Sequence, residues 1–183
     1  AALKDDAKAP PSVVSRLARD VEREVSEPIL RYCAAVSDDD LLDILSHHPE
    51  PWVISSIANR KRISAVVSEA VVDTEDVPAI TALVSNSGAS FAAPTLQKII
   101  DKARDYPAWH RPIALRRELS LELAHELAGI VDGAVLKILE ERSDFDPATR
   151  KNIVNLVRRR LEYKHEEDPE ETPITRLERF VSE

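Results

Sequence analysis

The chain has 183 residues, 43% apolar and 32% charged, with a net charge of −8. That length buries a sizeable core without metal or disulfide staples, and the single cysteine, Cys33, excludes an intramolecular disulfide. Three glycines are too few for phosphate-cradling loops, and the acidic balance disfavours a dedicated nucleic-acid binder.

Residues 1–11 read as a lead-in ending in Pro10-Pro11, after which Val13, Val14 and Leu17 open a helical stripe. A second helix is predicted from about Glu27 to Val36. Ser37 followed by Asp38, Asp39 and Asp40 is a strong helix start, a capping hydroxyl with acids at the positive end of the dipole. Pro49 and Pro51 end that helix, and another runs to about Asn59. Further starts fall at Ser64, at Thr74-Glu75-Asp76, at Ala93-Pro94 and at Ser120. The helix beginning near Leu121 carries Gly129 and Gly133 four residues apart, a spacing that lets a neighbouring helix approach closely. Asp146-Pro147 opens a long helix with Ile153, Val157 and Leu161 on one face. An acidic stretch from Tyr163 to Pro173 precedes a short amphipathic segment with Ile174, Leu177 and Val181.

No strand-like alternation persists, so the expected class is all-α. Val25-Ser26, Ile63-Ser64, Phe91-Ala92 and Leu119-Ser120 read as equivalent points of a repeat. The longer first interval would hold an extra helix, Asp38 to His47. Just upstream, Leu17-Ala18-Arg19-Asp20, Ile57-Ala58-Asn59-Arg60, Val84-Ser85-Asn86-Ser87 and Leu115-Arg116-Arg117-Glu118 read as one apolar helix end and polar turn, repeated. Short helix pairs that cannot cover both faces alone stack into a solenoid. The predicted organisation is a repeat domain over residues 12–143, a long helix packed on it over 144–163, and an acidic linker with a short helix over 164–183.

Those segments, with Ser37-Asp38-Asp39-Asp40-Leu41-Leu42 and Leu83-Val84-Ser85-Asn86-Ser87, give the chain a resemblance over about Val13 to Leu139. It resembles a bacterial family of HEAT-like repeats known only as a domain of unknown function. The resemblance implies an α-α superhelix and supplies no reaction or ligand.

Chemistry-bearing groups read mostly as structural. Glu122 and His125 form one E-x-x-H beside Glu118, but a di-iron bundle needs two such motifs, so an exposed helix face is expected. His47-His48 suits a helix C-terminus, and Cys33 sits in an apolar stripe. Trp52, Tyr106, Trp109 and His110 read as core filling, with groove anchoring as the sharper alternative. No catalytic residue, metal or cofactor is assigned. The basic residues Arg60, Lys61, Arg62, Arg116 and Arg117 occupy corresponding turns. They read as solubilising charge and caps of helix C-termini, and, as the sharper alternative, stacking would align them as a binding edge. Arg158-Arg159-Arg160 forms a further basic group.

The expected function is a non-enzymatic protein-interaction or scaffold module with a basic edge, its partner another protein or a second copy. A DNA- or nucleotide-binding, glycosylase-like role and a metal-dependent enzyme using Glu122 and His125 are the alternatives. With no membrane-spanning run or secretory signal, a cytoplasmic location is expected. The chain begins at Ala1 and has no methionine, as a segment excised from a longer protein would.

Overall fold

The computed structural model describes residues 10–142, together with the helical positions Ala148, Lys151, Asn152 and Asn155. The helix expected over 144–163 otherwise lies outside the described residues, as do Arg158-Arg159-Arg160 and the segment expected over 164–183. Among the described residues ten helices follow one another. They are α1 Pro11–Ala18, α2 Arg23–Tyr32, α3 Asp38–His47, α4 Pro51–Ala58, α5 Ala65–Asp73, α6 Val77–Ser85, α7 Ala93–Ala103, α8 Pro107–Ala114, α9 Leu121–Ala128 and α10 Gly133–Glu141.

None exceeds 11 residues, so none is stable alone and packing must hold each in place. Consecutive helices pack as pairs: α1 with α2, α3 with α4, α5 with α6, α7 with α8, and α9 with α10. The pairs then stack in two layers. One holds α3, α5, α7 and α9 in succession, and the other holds α2, α4, α6, α8 and α10. The α1 helix joins the first layer through polar groups: Ser15 Oγ donates to Asp40 Oδ1 at 2.7 Å, and Arg19 bridges to Asp40 and Asp43 on α3. The result is an α-α superhelix. One apolar core threads the stack, with Leu30, Ile57, Leu83, Ile113 and Leu139 running along the second layer, all essentially inaccessible.

Local chemistry sets the helix starts. Ser37, Ser64 and Ser120 accept from the backbone N–H three residues on, and Asp76 and Asp132 do the same with carboxylates. The N-caps of the odd-numbered helices stand at residues 10, 37, 64, 92 and 120, so neighbours are 27 or 28 residues apart.

This spacing corrects the sequence register. Val36-Ser37, not Val25-Ser26, is the equivalent of Ile63-Ser64, Phe91-Ala92 and Leu119-Ser120. Val36 is buried like the other three apolar members, whereas Val25 is exposed inside α2. There is no extra helix in the first interval, because α3 is a regular member of its layer. The misreading has a physical origin. The α2 helix starts at Arg23 without a side-chain cap and carries Pro28 in its interior, where a proline normally marks the first turn. Pro112 interrupts α8 at the same distance from its N-cap.

A second correction concerns Gly129 and Gly133. They do not share a helix: Gly129 caps the end of α9, and Gly133 is the first residue of α10.

The turns between pairs are also tied together. Ile63 N donates to Gly88 O, and Ser90 N donates to Ile63 O, both at 3.0 Å, forming a parallel bridge between the turn after α4 and the turn after α6. The approach is so close that a Cβ on Gly88 would lie 1.9 Å from Lys61 O.

Candidate interaction surface

The last carbonyls of a helix have no intrahelical partner, and the negative end of the dipole attracts a cation. In this stack the even-numbered helices solve the problem for one another. Arg60 follows α4 and reaches back to α2, donating through Nη1 to Leu30 O and through Nη2 to Cys33 O, the latter at 2.8 Å. Asn86 follows α6 and reaches back to α4, donating through Nδ2 to Ala58 O at 3.0 Å and Arg60 O at 2.7 Å. Arg116 follows α8 and collects Val84 O at 2.7 Å, Leu83 O at 3.2 Å and Asn86 O at the end of α6, and Ala89 O at 2.7 Å. Arg142 follows α10 and donates to Ala114 O at 3.1 Å.

All four residues stand ten positions after the N-cap of their own helix, at Glu50, Asp76, Tyr106 and Asp132. In the first pair that position is Tyr32, whose ring lies 5.4 Å from the Arg31 guanidinium. Three of the polar turns seen in the sequence are thus rungs of a ladder, whereas the fourth, Leu17-Ala18-Arg19-Asp20, follows α1 and is not equivalent to them.

The ladder divides the five basic residues expected to form a binding edge. Arg60 and Arg116 point inward and are 7% and 8% exposed. Burial pushes both guanidinium pKa values below their ordinary value, yet arginine stays protonated at any ordinary pH. They are correspondingly unsuited to meeting a partner directly. Arg60 Nε is buried without a hydrogen-bond acceptor. Lys61, Arg62 and Arg117 are exposed beside them. Among the described residues none of these three is in an ion pair. Asn86 and Arg142 escaped the sequence reading. Their constant offset from the preceding N-cap is the signal that identifies them.

The other singled-out groups fall into structural places. Cys33 is buried at the end of α2. Glu118, Glu122 and His125 are exposed. His47 ends α3 with Nδ1 2.9 Å from Asp43 O. Trp109 is buried, stacks on Tyr106 with centroids 4.4 Å apart, and donates from Nε1 to Thr81 Oγ1 at 2.7 Å. His110 is buried with Nε2 2.7 Å from Ala103 O. A pocket of about 330 Å³ lies beside this stack, lined by Glu75, Val77, Ile80, Lys102, Asp105, Tyr106 and Trp109. Its lysine is engaged by Glu75 at 2.6 Å, and no nucleophile and base meet there. Among the described residues no cluster of three or more His, Cys, Asp or Glu side chains is placed to hold a metal ion. Among them, too, no helix is long and apolar enough to cross a membrane.

Acids concentrate in the odd-numbered helices, with Asp38, Asp39, Asp40 and Asp43 on α3, Glu69 and Asp73 on α5, and Glu122 and Glu126 on α9. Neighbours there are joined by exposed ion pairs, such as Lys98 on α7 to Asp73 at 2.8 Å and Glu69 at 3.3 Å. In the second layer acids stand only on the two outer helices, Glu24 and Glu27 on α2 and Glu140 and Glu141 on α10. The helices α4, α6 and α8 contain no Asp or Glu at all.

The fold and this surface define a class: an all-helical α-α superhelix with one acidic layer and, in the middle of the other, an acid-free stretch over α4, α6 and α8 beside exposed cations. The chain belongs to the family described as "Uncharacterised protein conserved in bacteria (DUF2336)", whose model matches residues 25–182. No curated protein matches the chain. No solved structure matches it either.

Proposed function

We propose that this protein is a non-enzymatic, HEAT-like interaction module that binds another protein through the basic edge where its even-numbered helices end. The observation that carries the reading is the division of labour in the turns. Arg60 and Arg116 are spent on holding helix ends together, while their neighbours Lys61, Arg62 and Arg117 stand exposed and unneutralised. Exposed cations held on a rigid ladder select acidic partners by charge and raise the rate of encounter. The acidic first layer repels the same partners and so fixes the docking side.

The test is the triple substitution Lys61→Glu, Arg62→Glu, Arg117→Glu, compared with a control that neutralises Asp38 and Asp39 on the opposite layer. Affinity capture from the native bacterium should recover a protein that the triple variant loses and the control keeps. The triple variant should melt like the wild type, because it leaves the ladder intact. The control should melt slightly lower, because Asp38 and Asp39 sit at the positive end of the α3 dipole. Capture that survives the triple substitution, or recovery of DNA in place of a protein, would overturn the reading.

A further inference from the structure

The acid-free helices α4, α6 and α8 specify the partner more closely, on the assumption that the interaction reading above is right. The solvent-facing positions of α4, α6 and α8 fall on one face of each helix. On α4 they include Pro51, Trp52 and Ser55; on α6, Pro78, Ala82 and Ser85; on α8, Ala108, Arg111 and Leu115 just past its end. These helices contact one another in order, so their outer faces form one continuous strip. In a chain that is 32% charged, this strip holds a single charge, Arg111. It also holds Leu115, which is 60% exposed, and at its α2 border the half-buried Trp52, over whose ring the Arg23 guanidinium lies at 5.4 Å.

A solvent-exposed surface of this size normally carries both signs of charge. Depletion of charge at the centre with cations at the rim is the pattern of an interface core and its border. Lys61, Arg62 and Arg117 stand where the strip ends, and Arg111 stands on it. Among the described residues none of these four is in an ion pair, whereas Lys98, Lys102 and Arg19 in the other layer all are.

We infer that the strip across α4, α6 and α8 is the docking surface for an amphipathic, acidic segment of a partner protein. Its apolar side chains would lie over Pro78, Ala82 and Leu115, with Trp52 under Arg23 at the border, and its carboxylates would meet Arg111, Lys61, Arg62 and Arg117. Charge complementarity selects an acidic, amphipathic occupant. The chain's own stretch from Tyr163 to Val181 has that composition. Failure of an added Leu/Glu peptide to bind the full chain would favour that stretch and overturn the partner reading. Two copies meeting strip to strip would set four cations against four more. A nucleic acid would find few cations for its phosphates and an apolar centre that contributes nothing to backbone contacts.

The full chain is titrated, by fluorescence anisotropy, with three probes: a synthetic amphipathic helix of Leu and Glu, a Leu and Lys counterpart with the same pattern, and a DNA duplex. The Leu/Glu peptide should bind, and the other two should not. Ala108→Asp sets an acid on the strip near the start of α8, where the helix dipole accommodates it, and Leu115→Ser removes the exposed anchor. Each should weaken Leu/Glu binding about tenfold or more without moving the melting temperature. Equal binding of both peptides, tighter binding of the duplex, or an unchanged Kd in both strip variants overturns the inference. The same variants separate this inference from the broader reading. If the native partner is lost by the edge triple substitution but kept by Ala108→Asp and Leu115→Ser, the strip is wrong and the basic edge stands. If the triple substitution also keeps it, both fall.

Discussion

Arg116 lies over the ring of Phe91, its guanidinium carbon 4.8 Å from the ring centroid, while its nitrogens take up carbonyls at the end of α6. One side chain thereby closes three contacts: the α8 turn, the exit of α6 and the residue that leads into α7. A planar fork with five donors suits this role, and lysine's single ammonium does not.

Replacing Arg116 with alanine should therefore cost about 2–4 kcal/mol, since several buried carbonyls lose a charged donor at once. Lysine at 116 should recover only part of that. Arg117→Ala, one residue along and exposed, should change stability by less than about 0.5 kcal/mol. Urea unfolding of the three variants checks the order. Equal losses at 116 and 117 would contradict the ladder.

The glycines should respond in opposite directions. Gly88→Ala drives a methyl into Lys61 O and must pull apart the bridge between Ile63 and the α6 turn, so a loss of roughly 2 kcal/mol or more is expected. Gly133→Ala meets nothing within 4 Å at the first position of α10, and should stabilise by about 0.5–1 kcal/mol through helix propensity and a less free unfolded chain. Thermal melts of the two variants give the comparison.

Glu75 is the one non-glycine residue with positive φ among the described residues, at 60°, in the turn from α5 to α6. That left-handed conformation strains any side chain with a Cβ and costs glycine nothing. Its ion pair with Lys102 is solvent-exposed and contributes little. Glu75→Gly should raise the melting temperature by a few degrees despite removing the pair. A fall would show that the Lys102 contact outweighs the strain.

The Asp40 carboxyl is held at a pKa of about 2, below its ordinary 3.8, chiefly by the Ser15 hydroxyl and further by Ser37 and Arg19. A depressed carboxylate stabilises the fold above its unfolded pKa, and that contribution disappears as the pH falls through the folded one. Stability should thus drop between about pH 4 and pH 2, and Asp40→Asn should be weaker at neutral pH but flatter across that window. Denaturant titrations at a series of pH values measure both slopes.

The residues that start helices were legible in the sequence because capping is local. Ser37, Ser64, Asp76 and Ser120 each serve a backbone N–H three residues away, and the apolar spacing after each fixes the buried face. The same local signals established an all-helical stack of pairs. They misplaced the first repeat point, since an uncapped start at Arg23 and an interior Pro28 mimic a later beginning. Only Ser37, taken with the 27- and 28-residue spacing of its layer, restores the register.

Tertiary structure alone decided which of two adjacent basic residues turns inward. Arg60 and Lys61, or Arg116 and Arg117, are alike in side-chain chemistry, and the offset of ten from each N-cap that sets Arg60 and Arg116 apart gains its meaning only from the stacked helices. The choice rests on helix ends about 30 residues away in sequence, whose unpaired carbonyls face one position of each pair and leave the other in water. The acid-free strip arises in the same way, because the lack of Asp and Glu on α4, α6 and α8 becomes a surface property only when every second helix is set side by side.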